Sequence, residues 1–280
     1  MNFSWFWLAA LSGITETGYN TISRVALKNG GSPSYYTWWF SLVRSVIFFI
    51  PALFFSTLDL SLNNLVILSV LGFFNCINVY LFMKMHSLNQ LSVSTIISRL
   101  RIVWVPILAF FIVGEKLMPK QYIAIIVLLI AVILLRSPKK LLKDKAMFTA
   151  VLFSVTTAVV TVFLKMASDI TSTSMVIFAM SFPSVIIIPL IITSAKQKLL
   201  IPLRKYTFEK LAISGLSIVL IYTFIWALKL GGKVGAVNAI FQSISALSVV
   251  VGIILLKEKE LIFPKLAGAI LVIVGAMLLI

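Results

Sequence analysis

The feature that most limits what this chain can fold into is the recurrence of long apolar stretches from one end to the other. About 17–25 predominantly apolar residues is the length an α-helix needs to cross a bilayer. Such stretches read as 3–23, 35–56, 64–83, 91–113, 120–136, 146–167, 173–195, 210–229, 234–256 and 263–280. They do not alternate in polarity as barrel strands do. Lipid offers no partner for an unpaired backbone N–H or C=O, so each stretch reads as a helix. The expected fold class is an all-α membrane protein of ten transmembrane helices. Composition agrees, with 61% hydrophobic against 11% charged residues and a mean hydropathy of +1.11. A soluble domain lies nearer half apolar and a quarter charged. No basic residue precedes the first stretch, and it is longer than a signal-peptide core, so it is expected to be a mature helix.

The connections carry loop chemistry at Asn29-Gly30-Gly31-Ser32-Pro33, Ser137-Pro138 and Gly231-Gly232. Pro51, Pro106, Pro183 and Pro189 fall inside spans. There they kink helices, and neighbouring side chains are expected to satisfy the freed carbonyls.

The net charge is +16, from 24 Lys+Arg against 8 Asp+Glu. In a soluble chain that excess would suggest nucleic acid; in this one it belongs to loops, and no nucleic-acid partner is expected. Sixteen basic residues fall on the side reached after odd-numbered helices and four on the other; Arg44, Arg99, Arg101 and Lys165 lie within spans. The positive-inside rule puts the heavy side in the cytoplasm and both termini outside, in the cell membrane. Cys76 and His86 are the only residues of their types, which excludes a disulfide within the chain and a multi-histidine metal site. His86, beside Lys84, reads as a solvated helix cap. No P-loop, zinc motif or nucleophile constellation is present. No cofactor, metal or catalytic residue is therefore expected.

An internal repeat is visible. Glu115 and Glu258 each close a long apolar helix, and each is followed by one further apolar helix. Ala124 and Ala131 have the same seven-residue spacing as Gly268 and Gly275, small residues that let helices approach closely, within a monomer as readily as between subunits. Residues 1–140 and 141–280 then form two five-helix halves. Five is odd, so the second half enters the membrane inverted, the architecture of many secondary transporters with a midplane site between halves.

Several stretches carry a resemblance. In the first half they are Ser23-Arg24-Val25-Ala26-Leu27, Leu42-Val43-Arg44, Ser92-Val93-Ser94-Thr95, Pro106, Gly114-Glu115-Lys116-Leu117 and Gln121. In the second they are Ala227-Leu228-Lys229-Leu230-Gly231-Gly232-Lys233-Val234-Gly235-Ala236, Glu258, Lys265-Leu266-Ala267-Gly268 and Gly275. Together they resemble the ten-helix EamA-type members of the drug/metabolite transporter superfamily. The sequence departs from that pattern at Ala124 and Ala131, where glycines are usual, and at Met180, where a second-half arginine is expected. The resemblance implies a transporter of small metabolites, with export favoured because the bacterial family is rich in exporters.

A charge inside a spanning helix costs several kcal/mol, so it marks a functional site by default. Glu16, Arg44, Arg99 and Arg101 each lie about 12–15 Å from one face, at a rise of about 1.5 Å per residue. A polar stripe surrounds Glu16, made by Ser12, Tyr19, Asn20 and Ser23. Asn75 and Asn78 form a stripe on the third span; Asn238, Gln242 and Ser245 form one on the ninth. Arg99 and Gln242 correspond in the repeat, each sixteen residues before its glutamate. Arg99 and Arg101 are about 200° apart on an ideal helix and so are expected to face different ways.

Two readings remain open. In one, Glu16 neutralises an arginine in a structural ion pair. In the other, a cavity binds a small anionic or zwitterionic solute through arginine donors, while Glu16 recognises a cation or takes up a proton. Arg24 and Lys165 mirror each other as gate candidates, Lys165 reading mainly as an interfacial snorkel. Tyr222 and Trp226 share a face and either stack on cargo or pack toward lipid. Trp5, Trp7, Tyr35, Tyr36, Trp38 and Trp39 read as interfacial belts. The expected function is secondary active transport of amino-acid-like metabolites by alternating access. Alternatives are exchange of phosphorylated metabolites or nucleotide-linked sugars, and lipid translocation or modification.

Overall fold

In the computed structural model, the described residues are 4–56, 61–114, 122–123, 126–127, 129–130, 144–191, 207–230, 234–258 and 260–278. They form α1 (Ser4–Lys28), α2 (Pro33–Phe55), α3 (Leu62–Leu88), α4 (Leu91–Ser98), α5 (Arg101–Val113), α6 (Lys145–Ile170), α7 (Thr173–Ile191), α8 (Thr207–Lys229), α9 (Val234–Ser245), α10 (Leu247–Ile254) and α11 (Ile262–Met277). Among the described residues the protein is all helical. Seven stretches are long and apolar enough to cross a membrane, with α4–α5 and α9–α10 each counted as one. The 25-residue α1 carries Glu16, Arg24 and Lys28, which lower its hydropathy, and α11 is a shorter apolar helix. The expected fifth span, 120–136, with Ala124 and Ala131, lies essentially outside the described residues, as does Glu115.

Two spans expected to be continuous are broken. The fourth breaks at Arg99–Leu100, where tighter i→i+3 bonds replace the α-helical ladder: Arg99 N–H to Ile96 O, Leu100 N–H to Ile97 O and Ile102 N–H to Arg99 O. The ninth breaks at Ala246, between α9 and α10. Neither break has a proline at its centre, so the sequence pattern gave no stop signal there.

The main helix pairs join the first half of the chain to the second: α1 with α8, α2 with α7, and α3 with α6. Small residues set the closest approaches. A Cβ on Gly72 of α3 would lie 2.6 Å from Ala179 O of α7, and one on Gly13 of α1 would lie 2.8 Å from Phe241 O of α9. Ala179 O is the carbonyl that Pro183 leaves without a helical donor. Pro189 likewise frees Val185 O, and the Trp38 indole N–H of α2 donates to it at 3.2 Å. Trp38 therefore serves the proline kink of α7, a use that its reading as an interfacial belt had not included.

The core divides into two apolar clusters. One gathers Tyr19, Leu27, Val79, Met83, Ile97, Phe153, Ile213 and Val249. The other gathers Ala9, Leu68, Leu71, Leu164, Ile177, Ile225, Val237 and Phe241. On α1, Glu16 falls between the two; on α3, Asn75 and Asn78 do. A polar layer is thus sandwiched inside the bundle, while Val46, Phe49, Ile50, Leu53 and Phe54 of α2 point outward. An exposed apolar face with a polar interior is the distribution expected where the solvent is lipid. The protein is an integral membrane protein.

Candidate functional site: a buried charge layer and its cavity

Glu16 and Arg44 occupy the midpoints of α1 and α2. Glu16 Oε2 accepts from Arg99 Nη1 at 3.2 Å, and its Oε1 accepts from Arg101 Nη2 at 2.9 Å. The Gln242 side-chain oxygen accepts from both arginines, from Arg101 at 2.8 Å. Its amide donates to Asn238 Oδ1 at 3.1 Å. These groups are all buried. An uncompensated charge at such a position is costly; in this cluster one carboxylate answers two guanidiniums, and Arg99 Nε and Nη2 and Arg101 Nε keep no hydrogen-bond partner among the described residues.

The convergence of Arg99 and Arg101 corrects the expectation that they face different ways. That expectation assumed an ideal helix, and the break at Arg99–Leu100 removes the assumption. Arg101 also lies over the Phe241 ring at 5.1 Å. Of the two arginines, Arg101 lines the adjoining cavity and Arg99 stays behind it.

That cavity has a volume of about 140 Å³. It is lined by polar Glu16, Tyr19, Arg44, Asn75, Asn78, Arg101, Thr157, Thr161, Ser217 and Asn238. Its apolar wall includes Phe40, Phe82, Phe153, Leu220, Phe224 and Phe241. The two asparagines of α3 are held by α6 and α7. Asn75 Nδ2 donates to Met180 O at 2.6 Å, and Asn78 Oδ1 accepts from Thr157 at 2.7 Å. Arg44 lies over the Phe40 ring at 4.7 Å, and its Nε and Nη2 have no hydrogen-bond partner among the described residues.

Other residues singled out from the sequence lie elsewhere. Asn20 is buried and contacts Ser248 Oγ at 3.4 Å. Tyr222 and Trp226 stack on each other at 5.7 Å on an exposed face of α8 and do not line this cavity, because their face is turned away from the bundle. Lys165 pairs with Asp169 at 2.6 Å, one helical turn on, in a partly exposed position at the end of α6. Arg24 donates to His86 O at 2.6 Å and so ties α1 to the end of α3.

A second buried cluster closes that same end of the bundle, and sequence reasoning missed it. Glu258 caps α4 across the chain: Oε1 accepts from the Leu91 N–H at 2.6 Å and Oε2 from the Ser92 N–H at 3.0 Å, with the Ser92 hydroxyl also donating. A carboxylate on free N–H groups at a helix N-terminus satisfies orphan donors and complements the helix dipole. Lys265 Nζ donates to Gln90 Oε1 at 2.6 Å and to Glu258 O at 3.1 Å. Both Lys265 and Lys210, counted from the sequence as loop cations, are buried. His86 is buried too, against Ser94 Oγ at 3.2 Å and the Phe82 ring at 4.5 Å. It is a packed residue, not the solvated cap its neighbour Lys84 suggested. Glu258 had been noted only as a repeat marker; its partner lies 166 residues away, and no local pattern announces it.

Residues 3–137 match the model of the EamA-like transporter family. The match covers just under half of the chain and supports a place in the drug/metabolite transporter superfamily. A solved crystal structure of another protein shares the fold at a TM-score of 0.63, covering 96% of this chain and 95% of that one at 16% identity. At that identity the likeness concerns fold alone. No curated protein matches the chain. The matched segment contains Glu16, Arg44, Arg99 and Arg101, and the family it matches is one of transporters.

Proposed function

We propose that the protein is a secondary active transporter of small anionic or zwitterionic metabolites, working by alternating access, with export the direction favoured by the family resemblance. The observation that carries this reading is the cavity beside a buried, net positive charge layer, with a further arginine, Arg44, in its lining. A purely structural ion pair needs no cavity and no third arginine outside the pairing.

The interleaved packing of α1 with α8, α2 with α7 and α3 with α6 supports two inverted five-helix halves, 1–140 and 141–280, rocking about this layer. The broken fourth and ninth spans support it as well, since discontinuous helices line transporter sites. The Glu258 and Arg24 contacts supply a closed gate at one end of the bundle. The basic-residue asymmetry makes that end cytoplasmic and both termini external. A cavity near 140 Å³ disfavours nucleotide-linked sugars, because a cavity of about 150 Å³ holds one benzene ring. Glu16, held by two arginines, is a proton-coupling candidate only if cargo first releases it.

The test is counterflow in proteoliposomes with a panel of amino acids, other carboxylates, sugar phosphates and lipid headgroups. Transport of a small metabolite is expected, with a loss of tenfold or more in Glu16→Ala and Arg99→Ala. Wild-type rates in both variants, or no transport of any panel member, would refute the reading.

A further inference from the structure

The charge of the cavity and the company kept by its one carboxylate say more about the cargo than its size does. Three guanidiniums, Arg44, Arg99 and Arg101, are buried in this layer against a single carboxylate, Glu16. Both Glu16 oxygens are already engaged by arginine. Among the described residues, Glu16 is the only acid lining the cavity. An ammonium group entering it therefore finds no free carboxylate and meets a net positive field. Aromatic rings can hold a cation, but Phe40 is covered by Arg44 and Phe241 by Arg101, and the remaining rings, Tyr19, Phe82, Phe153 and Phe224, lie in the same positive field.

Arg44 is the complementary opportunity. It is 5% exposed, lines the cavity, and keeps Nε and Nη2 without partners among the described residues. These two nitrogens form one edge of the guanidinium fork, the geometry that takes a carboxylate with two parallel hydrogen bonds. The rest of the wall is largely apolar, and a cavity of this volume accepts about one ring or one branched chain.

We propose that the cargo is a monocarboxylate with a single-ring or branched apolar body and no need of an amine, its carboxylate taken by Arg44. This deepens the transporter reading and rests on it for the word cargo. A zwitterionic amino acid fits less well, because its ammonium would lie among three guanidiniums. A phosphate dianion fits less well because the second guanidinium lining the cavity, Arg101, already gives Nη2 to Glu16 and Gln242 and, of its buried nitrogens, keeps only Nε without a partner among the described residues.

The experiment measures binding to the purified full-length chain by thermal stabilisation, using phenylacetate, phenylalanine, phenethylamine and phenyl phosphate, followed by counterflow in proteoliposomes. Phenylacetate is expected to bind at least tenfold more tightly than phenylalanine or phenyl phosphate, and phenethylamine not at all. Arg44→Gln should weaken phenylacetate tenfold or more, and Arg44→Lys should weaken it less. Phenylalanine or phenyl phosphate binding as tightly as phenylacetate would overturn the proposal, as would unchanged phenylacetate affinity in Arg44→Gln. The order of the four ligands on the unaltered chain decides the matter even if Arg44→Gln fails to fold. The two readings fail separately. Phenylacetate binding that depends on Arg44, without counterflow of any compound, refutes transport and supports the site. Amino-acid counterflow that ignores Arg44→Gln refutes the site and leaves transport standing.

Discussion

Replacing Glu258 by glutamine probes the clasp that holds α4. The carboxylate accepts two backbone N–H groups at 2.6 and 3.0 Å and the Ser92 hydroxyl, and it lies 4.0 Å from the Lys265 ammonium. Glutamine keeps one acceptor oxygen and presents an NH2 group to the other N–H donor. One charge-assisted hydrogen bond is lost, worth about 1.5–3 kcal/mol. The favourable interaction of a negative charge with the α4 N-terminus goes too, worth about 0.3–1 kcal/mol. Lys265 keeps neutral acceptors in Gln90 and the Glu258 carbonyl, which limits the damage at that cation. The expected destabilisation is therefore about 2–4 kcal/mol. For a chain of this size, at about 2–4 °C per kcal/mol, the melting temperature should fall by roughly 4–16 °C. The assay is thermal unfolding of the purified protein in detergent, read by intrinsic fluorescence. Ser92→Ala is the control: it removes one charge-assisted donor, the hydroxyl, but neither N–H nor the carboxylate, and should cost about 1.5–3 kcal/mol, less than Glu258→Gln. A Glu258→Gln melting temperature within 1 °C of wild type would refute the capping argument. So would a larger loss in Ser92→Ala than in Glu258→Gln.

Two further outcomes follow from the same contacts. Glu16→Gln leaves two buried arginines without their counter-charge and should cost about 3–5 kcal/mol, read as a fall in melting temperature; adding Arg99→Gln should recover part of it, and a double variant less stable than Glu16→Gln alone would contradict the pairing. Trp38→Phe removes the donor to the carbonyl freed by Pro189 and should cost about 1–2 kcal/mol. In a Pro189→Ala background, which supplies a backbone N–H to the same carbonyl, the cost of Trp38→Phe should shrink, and an equal cost in both backgrounds would show that the indole acts only by packing.

Much of the architecture was legible because lipid enforces it. Stretches of sufficient length and apolarity became helices, and the charges at one depth, Glu16, Arg44, Arg99 and Arg101, came together in one layer. What stayed hidden depended on departures from ideal geometry. The turn at Arg99–Leu100 carries no proline, yet it swings Arg101 onto the carboxylate that Arg99 also holds. Facing directions drawn on an unbroken helix therefore failed at the two residues where they mattered most. Tyr222 and Trp226 share a helical face as read, but periodicity alone does not say whether a face meets the bundle or the lipid. Long-range partners such as Glu258 with α4, or Trp38 with Val185, leave no local mark, because neither member's own segment is unusual.

The placement of two acids follows from the two ends of α4. A chain with only 8 acidic residues among 280 commits two of them, Glu258 and Glu16, to the two ends of an eight-residue helix, α4. A span that runs unbroken has its orphan backbone groups at the membrane surfaces, where water satisfies them. A span broken at its middle brings an end into the bundle, where water is scarce and each unsatisfied group costs several kcal/mol. At the N-terminal end of α4 the buried Glu258 carboxylate supplies the missing acceptor. At the C-terminal end, i→i+3 bonds take up the backbone groups, and the arginines that flank the turn need Glu16 to be tolerated there. Glu16 thus lies where the broken helix creates demand for a counter-charge, and Glu258 where the same span begins inside the bundle. One guanidinium, Arg44 on the unbroken α2, is left over and faces the cavity.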